Sequence, residues 1–329
     1  MDRLRSPSLA PTLVTVAYIA GWYALHLGFN LQNKLVLNSF PYPWTVATIH
    51  VVVGTAYCGL LYVCGARKAS FERPINRKEL RAIVVPAAMH AAGHVASNLS
   101  FVAVALSLTH TVKTLEPAFS AGLSMLILGQ GTPLPALLSL IPIMAGVAAA
   151  SAAELSFNWT GFLMAMLSNL SFGLRAVLSK RAMGNLPSLG STGVYAYTTL
   201  ISIFICAPGI LLFERDVFAA AQQAAAAQGA GTFYGSLLGV GLLYHLYNQF
   251  AFNTLARVDA VSHGVCNVVN RVVVIVASVL FFGQELSMTT KLGTAVTLLG
   301  TLMYSEAIKP KKAAAPAAAK PPRKNLAAA

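Results

Sequence analysis

Ten runs of mostly apolar residues, each close to the length of chain that crosses a bilayer, limit what this 329-residue chain can become more than any other feature. A hydrocarbon core about 30 Å thick takes about 20 helical residues to cross, and every backbone polar group inside it must be paired within the protein. The runs cover 11–36, 43–65, 80–106, 109–128, 134–152, 157–182, 192–213, 232–256, 260–283 and 288–307. Between the third and fourth, Leu106-Ser107-Leu108-Thr109 must serve as a very tight turn. With 56% of residues drawn from AVILMFWYC and only 10% charged, an ordinary soluble domain is excluded. The sequence reads as an all-α membrane protein of ten transmembrane helices.

Charge placement supports that count. Lys and Arg total 23 against 10 Asp and Glu, a formal +13, but the cations lie in short loops and a tail, unlike the basic face of a nucleic-acid binder. Alternating the flanks puts Arg3, Arg5, the Arg67–Arg81 cluster, Lys180, Arg181, Arg257 and the tail cations on one side, and Arg215 alone in the loops of the other. Both termini therefore face the positive side. Cys58, Cys64, Cys206 and Cys266 sit in apolar runs without CxxC spacing, so neither a disulfide framework nor a zinc knuckle is expected. Residues 1–10 form an N-terminal tail that does not resemble a cleavable or transit segment. The Ala/Gln run Ala219–Gly231 reads as a mobile loop, and 308–329 as a disordered basic tail.

The chain also carries an internal echo. Gly129, Gln130, Gly146 and Ser151 recur as Gly283, Gln284, Gly300 and Ser305, all displaced by 154 residues, and His110 recurs as His263 at 153. Residues 11–152 and 157–307 thus read as two five-helix repeats. Five being odd, the second copy enters the bilayer in the opposite sense, an inverted repeat with a ligand site near the midplane. The alternative is ten spans with no internal symmetry.

Five cations fall within spans: Lys34, Lys113, Arg175, Arg271 and Lys291. Lys34 and Lys291, near span ends, read as interfacial anchors. Arg271 lies mid-span, and His263, Asn267 and Arg271 share a face at i, i+4, i+8, with Asn270 beside them. Lys113 precedes Glu116 and Pro117 by one turn, and a Lys113–Glu116 pair is one way to neutralise both charges. Arg175 either lines the interior or reaches the nearby interface. Three deep cations against the single carboxylate of Glu116 leave at least one unpaired, at a cost of about 2.5–3.5 kcal/mol in hydrocarbon. Such a set makes sense around an anion that enters from water, and Arg with Lys suits phosphate.

Neutral polar stripes surround these charges: His90, His94, Ser97 and Phe101 on span 3, and Tyr244, Tyr247 and Asn248 on span 8. Such groups bind sugar-like hydroxyls or simply join helices. His90 and His94 at i, i+4 lack the intervening Glu and third ligand of a zinc site, so no metal is expected. No nucleotide loop or catalytic constellation is present, and neither an enzyme nor a cofactor is implied.

The phrases His94-Val95-Ala96-Ser97-Asn98-Leu99-Ser100-Phe101, Ser107-Leu108-Thr109-His110-Thr111-Val112-Lys113 with Glu116-Pro117, Glu154 to Phe162, and Tyr244-His245-Leu246-Tyr247-Asn248-Gln249 resemble the plastid phosphate translocators, and within them the triose-phosphate/phosphate branch. The phosphoenolpyruvate branch is a near neighbour. The resemblance implies the ten-helix drug/metabolite transporter fold and exchange of inorganic phosphate for phosphorylated C3 metabolites across the plastid inner envelope, without nucleic acid or a protein partner. It further implies that Lys113 and Arg271 hold the phosphate, that His94, Ser97 and Tyr247 meet the carbon body, and that Arg175 meets a second acidic group. The chain departs from the family's Lys-Arg pair with Asn270-Arg271, which places Asn270 at the pocket edge. Two other readings stand beside this one: an endomembrane nucleotide-sugar transporter, and a non-transporting membrane scaffold or receptor.

Overall fold

In the computed structural model, the backbone is described for residues 9–66, 71, 73–129, 131–185, 189–255, 257 and 260–308, and side chains are described within these ranges except at 9–12, 128, 180–185, 190–191, 252, 255, 260–265 and 268. The N-terminal tail to residue 8, Arg67, Lys68, Gln130, the tail beyond 308, and the side chains of Arg181 and His263 lie outside this description. Among the described residues the protein is all-α, with twelve helices. They are α1 (Leu9–Ser39), α2 (Pro43–Val63), α3 (Arg77–Ala103), α4 (Leu106–Lys113), α5 (Glu116–Leu128), α6 (Leu134–Ala152), α7 (Trp159–Asn185), α8 (Gly190–Phe213), α9 (Val217–Gln228), α10 (Ala230–Leu255), α11 (Ala260–Phe282) and α12 (Met288–Ala307).

Among the described residues, four stretches are both long and apolar enough to cross a membrane: Pro43–Val63, Leu134–Ala152, Trp159–Ser179 and Thr192–Phe213. Helices α1, α3 and α10 are longer still, but bury polar residues such as Asn30, Asn33, His90, His94, Ser97 and His245, which dilutes their apolarity. A helix that lines a polar interior needs only one lipid-facing side.

Three local expectations are corrected. The turn after α3 falls at Val104 and Ala105, not at Leu106–Thr109, which form the first turn of α4. Val104 is extended (φ −139°, ψ 172°) while its N–H still closes on Ser100 O, and the Ala105 N–H donates to Ser156 Oγ at 3.2 Å. Two residues suffice because a side chain from the connection between α6 and α7 satisfies the freed donor. The 109–128 run, read as one span, is broken at Thr114-Leu115 into α4 and α5. Pro117 in the first turn of α5 cannot donate to a continuing ladder, and the Thr114 and Leu115 N–H groups tighten onto Thr111 O and Val112 O. The run Ala219–Gly231 is not a loop through most of its length, since α9 occupies 217–228. Alanine has the highest intrinsic helix propensity, and Ala220, Ala221, Ala224 and Ala225 pack against a core containing Val217, Phe233 and Leu237.

Packing follows a reciprocal pattern. Helix α1 lies on α10 and α7 on α3; α2 meets α10, and α8 meets α3; α2 packs on α8, α4 on α11, and α6 on α12. The α6–α12 contact is the most extensive, and backbone lies close to backbone there. A Cβ on Gly146 would stand 2.4 Å from Thr297 Oγ1 and 2.5 Å from Gly293 O, and one on Gly300 would stand 2.8 Å from Ile143 Cγ1 and 2.9 Å from Ile143 N. Gly146 faces Thr297 as Gly300 faces Ile143, and each residue lies 154 positions from its counterpart.

Candidate functional site

The deep cations converge from three helices. Lys113 ends α4, Arg175 sits in α7 and Arg271 in α11. Lys113 Nζ donates to Ser97 Oγ at 2.8 Å. Ser97 is fully used: it lies 2.7 Å from Ser168 Oγ and donates to Gly93 O at 2.9 Å, so its oxygen receives the ammonium and the Ser168 hydroxyl. Lys113 Nζ and Arg175 Cζ both lie 5.0 Å from the centroid of the Phe172 ring, within cation–π reach. Phe172 reaches that position because Gly93 has no side chain; a Cβ there would meet the ring at 3.0 Å.

Arg175 Nη1 stands 3.1 Å from His90 Nδ1, and His90 Nε2 stands 2.9 Å from Tyr244 Oη. A guanidinium only donates, so Nδ1 accepts and Nε2–H donates to the phenol oxygen, which fixes the neutral tautomer of His90. Tyr244 stacks on His94 with centroids 4.1 Å apart, and His94 Nε2 shares a proton with His50 Nδ1 at 3.0 Å. Tyr247 packs on His26 (4.6 Å) and Phe29 (5.1 Å). His26 Nδ1 donates to Asn270 Oδ1 at 3.0 Å. Arg271 Nη2, next in sequence, forms an ion pair with Glu116 Oε2 at 2.6 Å.

Six of the seven residues expected at a site, Lys113, Ser97, Arg175, His94, Tyr247 and Asn270, are joined by these contacts, Tyr244 and Tyr247 lying 5.6 Å apart between ring centroids; Arg271 adjoins them as the chain neighbour of Asn270. The details differ from the expectation in two places. Glu116 takes Arg271 across the molecule instead of Lys113 one turn away, and Lys113 is left with neutral partners. Asn270 turns its side chain toward α1 and is only 2% exposed. Lys34, expected as an interfacial anchor, is half-buried, and its ammonium donates to Phe101 O and, at 3.1 Å, to Val104 O. There it caps the carbonyl end of α3, where a cation is favourable.

His26 and His50 escaped the sequence reading. For His26 a signal exists, since His26, Asn30 and Asn33 form a polar stripe at i, i+4, i+7 in an otherwise apolar run. His50 stands alone among valines and alanines, and only the fold brings it to His94. Both ring nitrogens of His90 are engaged by Arg175 and Tyr244, and no group of three metal-ligating side chains occurs among the described residues.

The arrangement is one of three cations, of which Glu116 pairs with one, framed by neutral donors and aromatic rings. Residues 13–305 match the Triose-phosphate Transporter family. The chain is 45% identical over 297 residues to a chloroplastic triose phosphate/phosphate translocator of Brassica oleracea var. botrytis, covering 90% of this chain and 72% of that one. It is 41% identical over 308 residues to a chloroplastic phosphoenolpyruvate/phosphate translocator 1 of Oryza sativa subsp. japonica, covering 92% and 74%. A solved crystal structure only 15% identical aligns with a TM-score of 0.52 over 89% of this chain and 96% of that one, a likeness of fold alone. With a family match across residues 13–305 and relatives of this identity over most of its length, the chain belongs to the Triose-phosphate Transporter family and is a membrane transporter, not an enzyme.

Proposed function

We propose that this protein exchanges inorganic phosphate for a small phosphorylated metabolite, triose phosphate or 3-phosphoglycerate, by alternating access in the plastid inner envelope. The observation that carries the reading is the set of three cations, Lys113, Arg175 and Arg271, of which only Arg271 has a carboxylate, Glu116, as its ion-pair partner among the described residues. The names of the relatives point to the same substrates and to the chloroplast. Lys113 and Arg271 hold the phosphate; Ser97, His94, Tyr247 and Asn270 shape the space for the carbon body; Arg175 meets a second acidic group. In this reading the chain crosses the bilayer ten times, as two inverted five-helix repeats at 11–152 and 157–307. In its favour are the reciprocal packing of α1 on α10 with α7 on α3, and the Gly146–Thr297 contact that Gly300–Ile143 repeats at the same 154-residue displacement. In this scheme α9 stands outside the repeat, and α4 with α5 makes one span.

Exchange in place of net flow follows from charge. An occluded empty site leaves Lys113 and Arg175 without an anion, and like charges brought together at low dielectric cost several kcal/mol. A bound phosphate removes that cost, so the loaded carrier reorients and the empty one lags. The test is uptake of labelled phosphate by the purified full chain in liposomes, preloaded with phosphate or empty. Fast uptake only into preloaded vesicles, lost in Lys113→Gln, is the expected result; equal uptake into empty vesicles would overturn the reading.

A further inference from the structure

The ion pair between Arg271 and Glu116 occupies the group on which a phosphate would land. Its oxygen and nitrogen are 2.6 Å apart, yet the two side chains keep 16% and 27% of their exposure, so the pair is not sealed off by the surrounding protein. The other deep cations are held by neutral groups: Lys113 by Ser97 Oγ and the Phe172 ring, Arg175 by His90 Nδ1 and the same ring. Arg271 is thus the one of the three whose charge is already met by an anion. A carboxylate and a phosphate monoester take a guanidinium through the same pair of parallel N–H···O bonds. They compete for it, and the carboxylate repels the arriving phosphate as well. Glu116 is also placed to do this repeatedly. It opens α5 at the break after Thr114-Leu115, next to Pro117, so its attachment point is a helix end and not the middle of a rigid span.

We propose that Glu116 is an internal counter-anion of Arg271 that the substrate's phosphate must displace, and that it thereby sets both phosphate affinity and the strictness of exchange. The proposal rests on the reading of the site as a phosphate site. When the site is empty, Glu116 stands in for the missing phosphate at one cation of three, which eases the return of the empty carrier without freeing it. Removing the carboxylate has two effects of opposite appearance: the site binds phosphate more tightly, and the empty carrier returns more slowly. A residue that only braces α5 against α11 would, on removal, weaken both.

The test uses the purified full chain with inorganic phosphate as the probe, by calorimetric titration in detergent and by uptake into preloaded and empty liposomes. Glu116→Gln should lower the phosphate Kd roughly tenfold, the scale of one charge-assisted hydrogen bond no longer contested. It should also raise the ratio of preloaded to empty uptake. Glu116→Asp, which keeps the charge on a shorter stem, should fall between wild type and Gln, and it carries the test if the Gln protein does not fold. An unchanged or higher Kd in these variants, or faster uptake into empty vesicles, would overturn the proposal while leaving the phosphate site itself standing. A wild-type protein that binds no phosphate would overturn both.

Discussion

Gly146→Ala tests the close packing of α6 against α12. The added Cβ would fall 2.5 Å from Gly293 O and 2.7 Å from Thr297 N, and neither backbone atom can swing aside. Ordinary contact begins near 3.4 Å, so α6 and α12 must part by about 1 Å, and overpacking of this kind costs about 1–3 kcal/mol. Gly300→Ala meets Ile143 N at 2.9 Å and a mobile side-chain carbon at 2.8 Å, so its cost belongs at the lower end of that range. The two effects are coupled: once the helices have parted for one methyl, the second finds room, so the double variant should cost less than the sum of the singles. Gly59→Ala in α2 is the control, because nothing lies within 4 Å of its Cβ and alanine is the better helix former. Thermal unfolding of the purified proteins in one detergent should rank Gly146→Ala lowest, Gly300→Ala next, and Gly59→Ala at or above wild type. Equal stability of Gly146→Ala and wild type, or costs that add in the double variant, would refute the argument.

Two further outcomes follow from the site and its flank. Tyr244→Phe removes the acceptor of His90 Nε2–H while His90 stays 1% exposed, and a buried unsatisfied donor costs about 1–3 kcal/mol, so the unfolding midpoint should drop. With Arg175 less firmly placed, the ranking of phosphorylated substrates in liposome exchange should change more than phosphate self-exchange does. At the start of α3, before the apolar run, the Arg73 guanidinium forks onto Glu79 at 2.6 and 3.0 Å, the Asn76 N–H adds a bond, and together they lower the Glu79 pKa from 4.5 to about 2. The folded carboxylate therefore holds its proton more weakly than the unfolded one, so its contribution is complete above about pH 4.5 and is lost as pH falls toward 2. Unfolding midpoints measured from pH 6 to about 2.5 should fall in wild type and flatten over that window in Glu79→Gln.

The sequence by itself determined that this chain is helical and that it lives in a membrane, and it singled out Lys113, Arg175 and Arg271 as cations within apolar runs. Those conclusions rest on quantities each segment carries alone: the length of an apolar run, the cost of a charge within it, and the spacing that puts His94 and Ser97 on the face of α3. Composition misled only where a helix former looked like a spacer, in the alanines of α9, which become helix because a core lies beneath them. The tertiary structure decided the pairings. Glu116 is three residues from Lys113 and more than a hundred and fifty from Arg271, yet the break at Thr114-Leu115 turns it toward Arg271. Asn270 meets His26, Lys34 meets the end of α3, and His50 meets His94 because separate helices pack side by side. Apolar periodicity fixes which face of a helix is buried, but which charge finds which partner depends on the few ångströms by which separate helices approach, and no local pattern encodes that distance.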